Sequence, residues 1–391
     1  MLNAELITFS PLHIGDGEEI LPFEYIVEGS NLKVYPFDYF TEEICRRYEG
    51  KELLSRLVIF KEVAKEGLKL GLEEFLKRAK IEGILSKYEL SVKNFVKGKS
   101  ISSFIKTLQG PYIPGSEIKG SLRTVFLYNS FMNEERLRQN FYQSLERAVP
   151  AGEKFKKLSN NEKREVLQKL NRVFQKFEQN LMRAGKKDAQ YDLFKSLIIS
   201  DSQPFPYEWL IVDEVRITGS SQENLNEFCE FLKAGKKIKV EVRIDEFNLK
   251  ALKALKALEN FGIYSKNLRE FTWGLIKKSA CRFYLNLVEA ELDYFQNMKM
   301  EKHLKFLKKL KTQIEACQNT SKLLFPIRLG KFEGYLSLTL MLMVKRERPE
   351  LFERIFKLSV PKPRAIPNKT RKVLKESLPG WCFLYIKADA N

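Results

Sequence analysis

Polar and apolar residues alternate over positions 2–9 (LNAELITF), and a period of two predicts a strand there. Two short runs, 24–28 and 32–35, flank Gly29-Ser30-Asn31, a turn sequence that predicts a hairpin. From Asp38 the apolar spacing lengthens to three and four. It predicts a helix over 38–48 and strong helicity over 51–80, where Leu53, Leu54, Leu57, Val58 and Phe60 recur at helical intervals. After a glycine- and proline-rich stretch at 98–120, a helix is predicted from near Ser121 through Tyr128. Residues 131–195 keep helical spacing, broken at 150–152 and at Gly185, and read as an insertion on a smaller core. Strands are predicted at 208–217 and 237–245 with a short helix near 222–233 between them, a β-α-β pattern that suits half of a ferredoxin-like unit. Residues 248–318 are helical in pattern, 325–344 carry a glycine loop and then an apolar run, and WCFLYIKA at the end reads as a strand. The class is α+β, with two small sheets, many helices and long insertions.

The chain has 391 residues, which suits two modules with insertions. Apolar residues make up 44%, including 29 Phe, enough for a sizeable core. The net charge of +18 favours a polyanionic partner, either nucleic acid or an acidic membrane surface. The charge is uneven. Residues 1–60 hold five Lys/Arg against eleven Asp/Glu, so the first 60 carry −6 and the remainder +24. An RNA track with a separate acidic docking face produces such a split. A lysine- and glutamate-rich composition suited to high temperature is the plainer account. The opening MLNAELITFS has no basic leader pattern, and the longest apolar stretch, 336–344, is far below the ~20 residues of a membrane span. A soluble, cytoplasmic protein with no membrane partner is expected. Five cysteines without a CxxC pair and two histidines do not form a zinc pattern, so no metal and no cofactor is expected.

Four segments carry candidate chemistry. In TFSPLHIGDG (8–17), Gly15 and Gly17 free the backbone to turn and present amides, and His13 is either a hydrogen-bonding or general-base group or a loop-packing side chain. In YIPGSEIKGSLRT (112–124), Pro114-Gly115 makes a turn and Ser116 is the expected N-cap. Lys119 and Arg123, four apart, share a face beside Gly120 and Ser121. This is either a phosphate clamp or a solvated capped helix. It lacks the spacing of a nucleotide-binding P-loop. In IRLGKFEGY (327–335), Arg328, Gly330 and Lys331 form a basic glycine loop or an ordinary hairpin. The tract 361–375 holds six basic residues, Lys369, Arg371 and Lys372 among them, with three prolines and no acid. It is either a stiff ribbon for a polyanion or a solvated tail.

Taken together these segments resemble a known superfamily. PLHIGDG resembles the opening of the RAMP superfamily (repeat-associated mysterious proteins) of CRISPR systems. YIPGSEIKGSLRT is similar to the IPGSSLKGALRT segment of RAMP subunits in type III effectors, and DLFKSLIISDSQPF (192–205) to the block with an SDS turn. RLGKFEGYLSLTL resembles the superfamily's glycine-rich loop, with fewer glycines than its fullest form. PNKTRKVLKESLPGWCFLYI resembles the terminal KTRR…PLGW block of one group, the fifth Csm subunits, which are the head RAMP proteins of type III-A Csm complexes. The resemblance reaches both ends and the middle of the chain, and the helical insertions at 51–95 and 131–190 have no counterpart in it. It implies two RRM-like (ferredoxin-like) domains with large helical insertions, divided here at 1–205 and 206–391. It further implies a non-catalytic RNA-binding subunit that caps the 3′-ward end of the CRISPR RNA and supports 3′ maturation. The implied partners are CRISPR RNA, the repeated filament RAMP, small helical subunits and separate trimming nucleases. The target-cutting aspartate of the filament RAMP has no matching motif around Asp38, and that role is not carried over. On this reading RNA contacts fall on His13, Gly15, Gly115, Ser116, Lys119, Gly120, Ser121, Arg123, Arg328, Gly330, Lys331, Lys369, Arg371 and Lys372. The competing readings are a metal-independent RAMP endoribonuclease using His13 and a scaffold that touches only protein.

Overall fold

The structure is a computed structural model that describes residues 1–65, 71–218, 226–254, 262–358 and 371–387. Its first sheet has five antiparallel strands, in the spatial order Leu323–Arg328, Trp381–Ile386, Leu2–Thr8, Lys237–Ile244 and Leu197–Ile199. The alternation seen in the sequence sets its register. Ala4 faces Val240 and Leu6 faces Ile238, so the buried side chains of both strands line one face, while Lys239 and Glu241 point away. Helices Gly115–Asn133 and Trp273–Asn297 pack on each other and on this sheet. In chain order the unit reads strand 2–8, helix 115–133, strand 197–199, strand 237–244, helix 273–297 and strand 381–386. That is β-α-β-β-α-β, the ferredoxin-like arrangement, with Leu323–Arg328 added at the edge.

The second sheet runs Gly15–Ile20, Ile101–Phe104, Glu227–Leu232, Leu210–Thr218, Tyr88–Val92, Asn31–Val34 and Tyr25–Glu28, and Arg371–Val373 pairs with the end of Leu210–Thr218. Both sheets draw strands from either side of residue 205. The hairpin expected around Gly29 is present, with Gly29 at φ +60°.

Two expectations are corrected. The short helix near 222–233 is instead the strand Glu227–Leu232, paired antiparallel with Leu210–Thr218, so the β-α-β unit expected there does not form; residues 219–225 lie outside the described set. Five of its six residues are buried, which erases the polar alternation that marks a strand. The helix expected from near Ser121 starts six residues earlier, at Gly115, and ends at Asn133.

The insertions are helical as the spacing predicts. Phe37–Arg47, Gly50–Lys65 and Leu72–Arg78 enclose a small core of Phe23, Phe40, Ile44 and Phe75. Glu135–Ala148 and Asn160–Arg183, with the short Gly152–Lys156 between them in the chain, pack on Gly115–Asn133 through Phe131, Phe141 and Phe177, with ring centroids 4.8 and 5.1 Å apart along that series. The class is α+β, with RRM-like sheet units carrying large helical insertions. No helix among the described residues is long and apolar enough to cross a membrane.

Candidate nucleic-acid interface

Leaving the first sheet at Thr8, the chain crosses to the second, where Leu12 exchanges backbone hydrogen bonds of 3.0 and 2.8 Å with Leu232. This crossing is stitched to two distant segments. Phe9 and Ser10 donate to the Trp381 carbonyl at 2.8 and 3.0 Å, and the Gly380 amide donates to Pro11 at 2.8 Å. Leu329 donates to Gly380 at 2.9 Å, and Lys331 donates to His13 at 3.0 Å. The approach leaves no room for side chains. A Cβ on Gly330 (φ +89°) would sit 2.1 Å from the His13 carbonyl oxygen.

These segments open onto one groove. A cleft of about 480 Å³ is lined by His13, Gly15, Ser103, Glu117, Gly330 and Lys331. Past Lys331 and Glu333 it meets a second hollow of about 300 Å³, bounded by Arg328, Phe332, Tyr335, Arg371 and Lys372. All four segments singled out in the sequence therefore contribute to a single groove.

His13 is 1% exposed. Its Nδ1 donates to the Glu230 carbonyl at 2.8 Å, which leaves Nε2 bare and without a partner among the described residues. The ring stacks on Phe332 at 5.5 Å and lies 5.7 Å from Phe231. Burial lowers its pKa, so the imidazole is neutral at pH 7. A buried, neutral ring fits the loop-packing reading of this residue.

Several cations at the groove have partners inside the protein. Lys331 and Lys372 both pair with Glu227, the latter at 3.1 Å, and both ammoniums lie over the Phe332 ring. Burial works against ionisation of Glu227, but the two ammoniums outweigh it and hold the carboxyl below its usual range. Arg371 pairs with buried Glu291 at 2.7 Å. Arg328 is buried, donates to the Pro379 and Phe332 carbonyls, and lies 5.0 Å over the Trp381 ring. Burial pushes the carboxyl of Glu333 up to about 8, in spite of Arg328 nearby, and raises Glu117 as well.

Helix Gly115–Asn133 turns a different face to the groove from the one the sequence suggests. Its N-cap is Pro114, and Ser116 is an exposed helical residue, which corrects the expected Ser116 cap. The Gly115 amide donates to Asp201 at 2.8 Å. Gly115 is glycine because a Cβ would meet the Ile199 carbonyl oxygen at 2.3 Å. Lys119 and Arg123 do share a face, but Arg123 is held by Asp192 through two 2.9 Å bonds and by Glu178 at 2.9 Å. Burial lowers the pKa of Lys119, with Asp192 opposing. Ser121 hydrogen-bonds the Tyr284 hydroxyl at 2.7 Å. Gly120 is exposed with open space beside it. Gly115, Ser116, Lys119, Gly120, Ser121 and Arg123 do not line the groove, and Lys369 lies outside the described residues. Glu117 and Glu333 line the groove and Glu227 pairs with two of its lysines, and the sequence reading missed all three. Two of them sit inside the glycine motifs themselves, in SEIKG and KFEG, and that was the available signal.

A family profile described as the RAMP superfamily matches residues 5–330. A CRISPR system protein of Streptococcus thermophilus, Csm5, is 25% identical over 221 residues, 53% of this chain and 53% of that protein, so the match spans about half the length of that curated relative. Two solved structures are similar in fold. One is a chain of a Csm–crRNA–target RNA ternary complex of a type III-A CRISPR-Cas system, with TM-score 0.71, 21% identity, 99% of this chain and 100% of that chain. The other is the crystal structure of T. onnurineus Csm5, with TM-score 0.65, 19% identity, 97% of this chain and 99% of that chain.

Proposed function

The chain belongs to the RAMP superfamily, and from that premise we propose that it is a non-catalytic RNA-binding subunit of a type III-A CRISPR Csm complex. In this reading it caps the 3′-ward end of the CRISPR RNA and supports its 3′ maturation. Its neighbours are the repeated filament RAMP and the small helical subunits, trimming belongs to separate nucleases, and the complex works in the cytoplasm. The observation that carries the reading is the convergence of sequence-distant segments, around His13, Glu117, Lys331 and Lys372, on one groove. Glycine loops and lysines at such a groove meet the phosphate backbone rather than base edges, so binding is sequence-independent. The burial of His13 supports holding RNA over cutting it.

The test is ultraviolet crosslinking of the native complex, with mass spectrometry of the peptides joined to RNA. Crosslinks within 327–335 and 112–124 to the 3′ part of the guide are expected, and Lys331→Glu with Lys372→Glu should weaken them. Crosslinks on other subunits with none on this one would replace the reading with a protein-only scaffold. A change of guide length on His13→Ala would return the endoribonuclease reading.

A further inference from the structure

The groove cations are largely neutralised from within, and a second cluster of cations is not. Arg243 is the penultimate residue of strand Lys237–Ile244, Lys250 and Lys253 lie on helix Glu246–Ala254, and Arg269 stands in the last turn of helix Gly262–Glu270. The four side chains come from three elements and line one cleft of about 540 Å³. Its floor is apolar, with Leu2, Leu249, Phe271 and Trp273. Glu246 is its single acidic lining residue. Among the described residues Lys250, Lys253 and Arg269 make no ion pair. Arg243 approaches Asp245 at 3.8 Å, but the Asp245 carboxylate already accepts from the Phe247 amide at 3.1 Å and the Asn248 side chain at 3.1 Å.

The helix that carries Lys250 and Lys253 also carries an exposed aromatic residue, next in sequence to the lining residue Glu246. Phe247 is 79% exposed and lies three residues before Lys250, so the two share a helix face. A largely exposed Phe on a helix with lysines that make no ion pair is the combination that binds single-stranded nucleic acid, with the ring stacking a base and the cations following the phosphates. The cleft shares no lining residue with the groove. It contains the start of strand Leu2–Thr8, whose far end leads into the groove, and a seven-residue strand spans roughly 20 Å.

We propose that the cleft formed by Arg243, Lys250, Lys253 and Arg269, with Phe247 at its edge, is a second binding site for single-stranded RNA, contacted through phosphates and one stacked base. The inference extends the RNA-binding reading above but uses none of its residues, so the two fail separately.

The experiment measures anisotropy of a labelled oligouridylate of about 16 nucleotides on the full chain across a salt series. Lys250→Glu/Lys253→Glu/Arg269→Glu is expected to bind about tenfold weaker or more. Its log K against log salt slope should be shallower by about 2, for roughly 0.7 per lost phosphate contact. Phe247→Ala is expected to bind about fivefold weaker. These side chains are exposed, and circular dichroism checks that the variants keep the wild-type fold. Wild-type affinity and slope in both variants, with binding lost in Lys331→Glu/Lys372→Glu, overturns the second site and leaves the groove. Loss in the cleft variants with none in the groove variant supports the second site and overturns the groove. Loss of an acidic protein partner from the triple variant, with RNA binding unchanged, also overturns it.

Discussion

Gly330 and Gly334 share a left-handed backbone, at φ +89° and +82°, but not a neighbourhood. A Cβ at Gly330 would overlap the His13 carbonyl, while one at Gly334 would meet nothing within 4 Å. Gly330→Ala should therefore cost about 3 kcal/mol or more, strain and overlap together, and Gly334→Ala about 1 kcal/mol. Urea unfolding of both variants reads the difference, and equal costs would mean that the contact with His13 is not tight. Glu333 makes a pH prediction. Its carboxyl is raised from 4.5 to about 8 by burial, so across that interval the folded state keeps a proton that the unfolded chain has given up. The stabilisation is complete below the unfolded value and is lost as pH rises through the folded one. Melting temperature should fall between about pH 5 and pH 8, and Glu333→Gln should flatten that fall. An unchanged slope would mean that Glu333 titrates normally. The glycines of these motifs were legible in the sequence as places of close approach. What approaches Gly115 and Gly330 is the protein's own backbone, which a one-dimensional pattern does not distinguish from a ligand.

Strand Arg371–Val373 and helix Trp273–Asn297 are joined by a buried ion pair, Arg371 to Glu291. Arg371→Met should cost about 3–5 kcal/mol, because Glu291 is left charged and buried, and adding Glu291→Leu should recover most of it. Chemical denaturation of the single and double variants measures both, and no recovery in the double would mean that the pair does not hold the strand. Elements whose faces differ were readable from spacing. Strand Leu2–Thr8 and strand Lys237–Ile244 alternate because one side is covered, and the amphipathic insertion helices repeat for the same reason. Glu227–Leu232 was misread because its centre is a fully buried glutamate. Glu230 accepts from the Tyr88 hydroxyl at 2.9 Å and the Phe104 amide at 2.7 Å and pairs with Lys106, partners that are 124 to 142 residues away. No local pattern shows where a buried charge finds its donors.

Over the whole molecule, a net +18 with groove cations tied to carboxylates implies attraction through the summed field more than through single contacts. RNA affinity should fall by 10-fold or more between about 50 and 200 mM salt and be alike for unrelated sequences. Binding titrations on two sequences test this, and a flat response or a strong sequence preference would contradict backbone reading. The groove itself exists only because distant parts of the chain meet, which explains why its residues were visible as separate motifs and its acids were not. The same meeting fixes an order of events during synthesis. Strand Leu2–Thr8 lies between strand Lys237–Ile244 and strand Trp381–Ile386, and the Trp381 amide donates to the Ser10 hydroxyl at 2.9 Å. Strand Leu2–Thr8 thus waits for residues made some 370 positions later before both its edges are covered. Until then it is an open edge, so a nascent chain of this protein depends on protection from chaperones or on its helical insertions folding first.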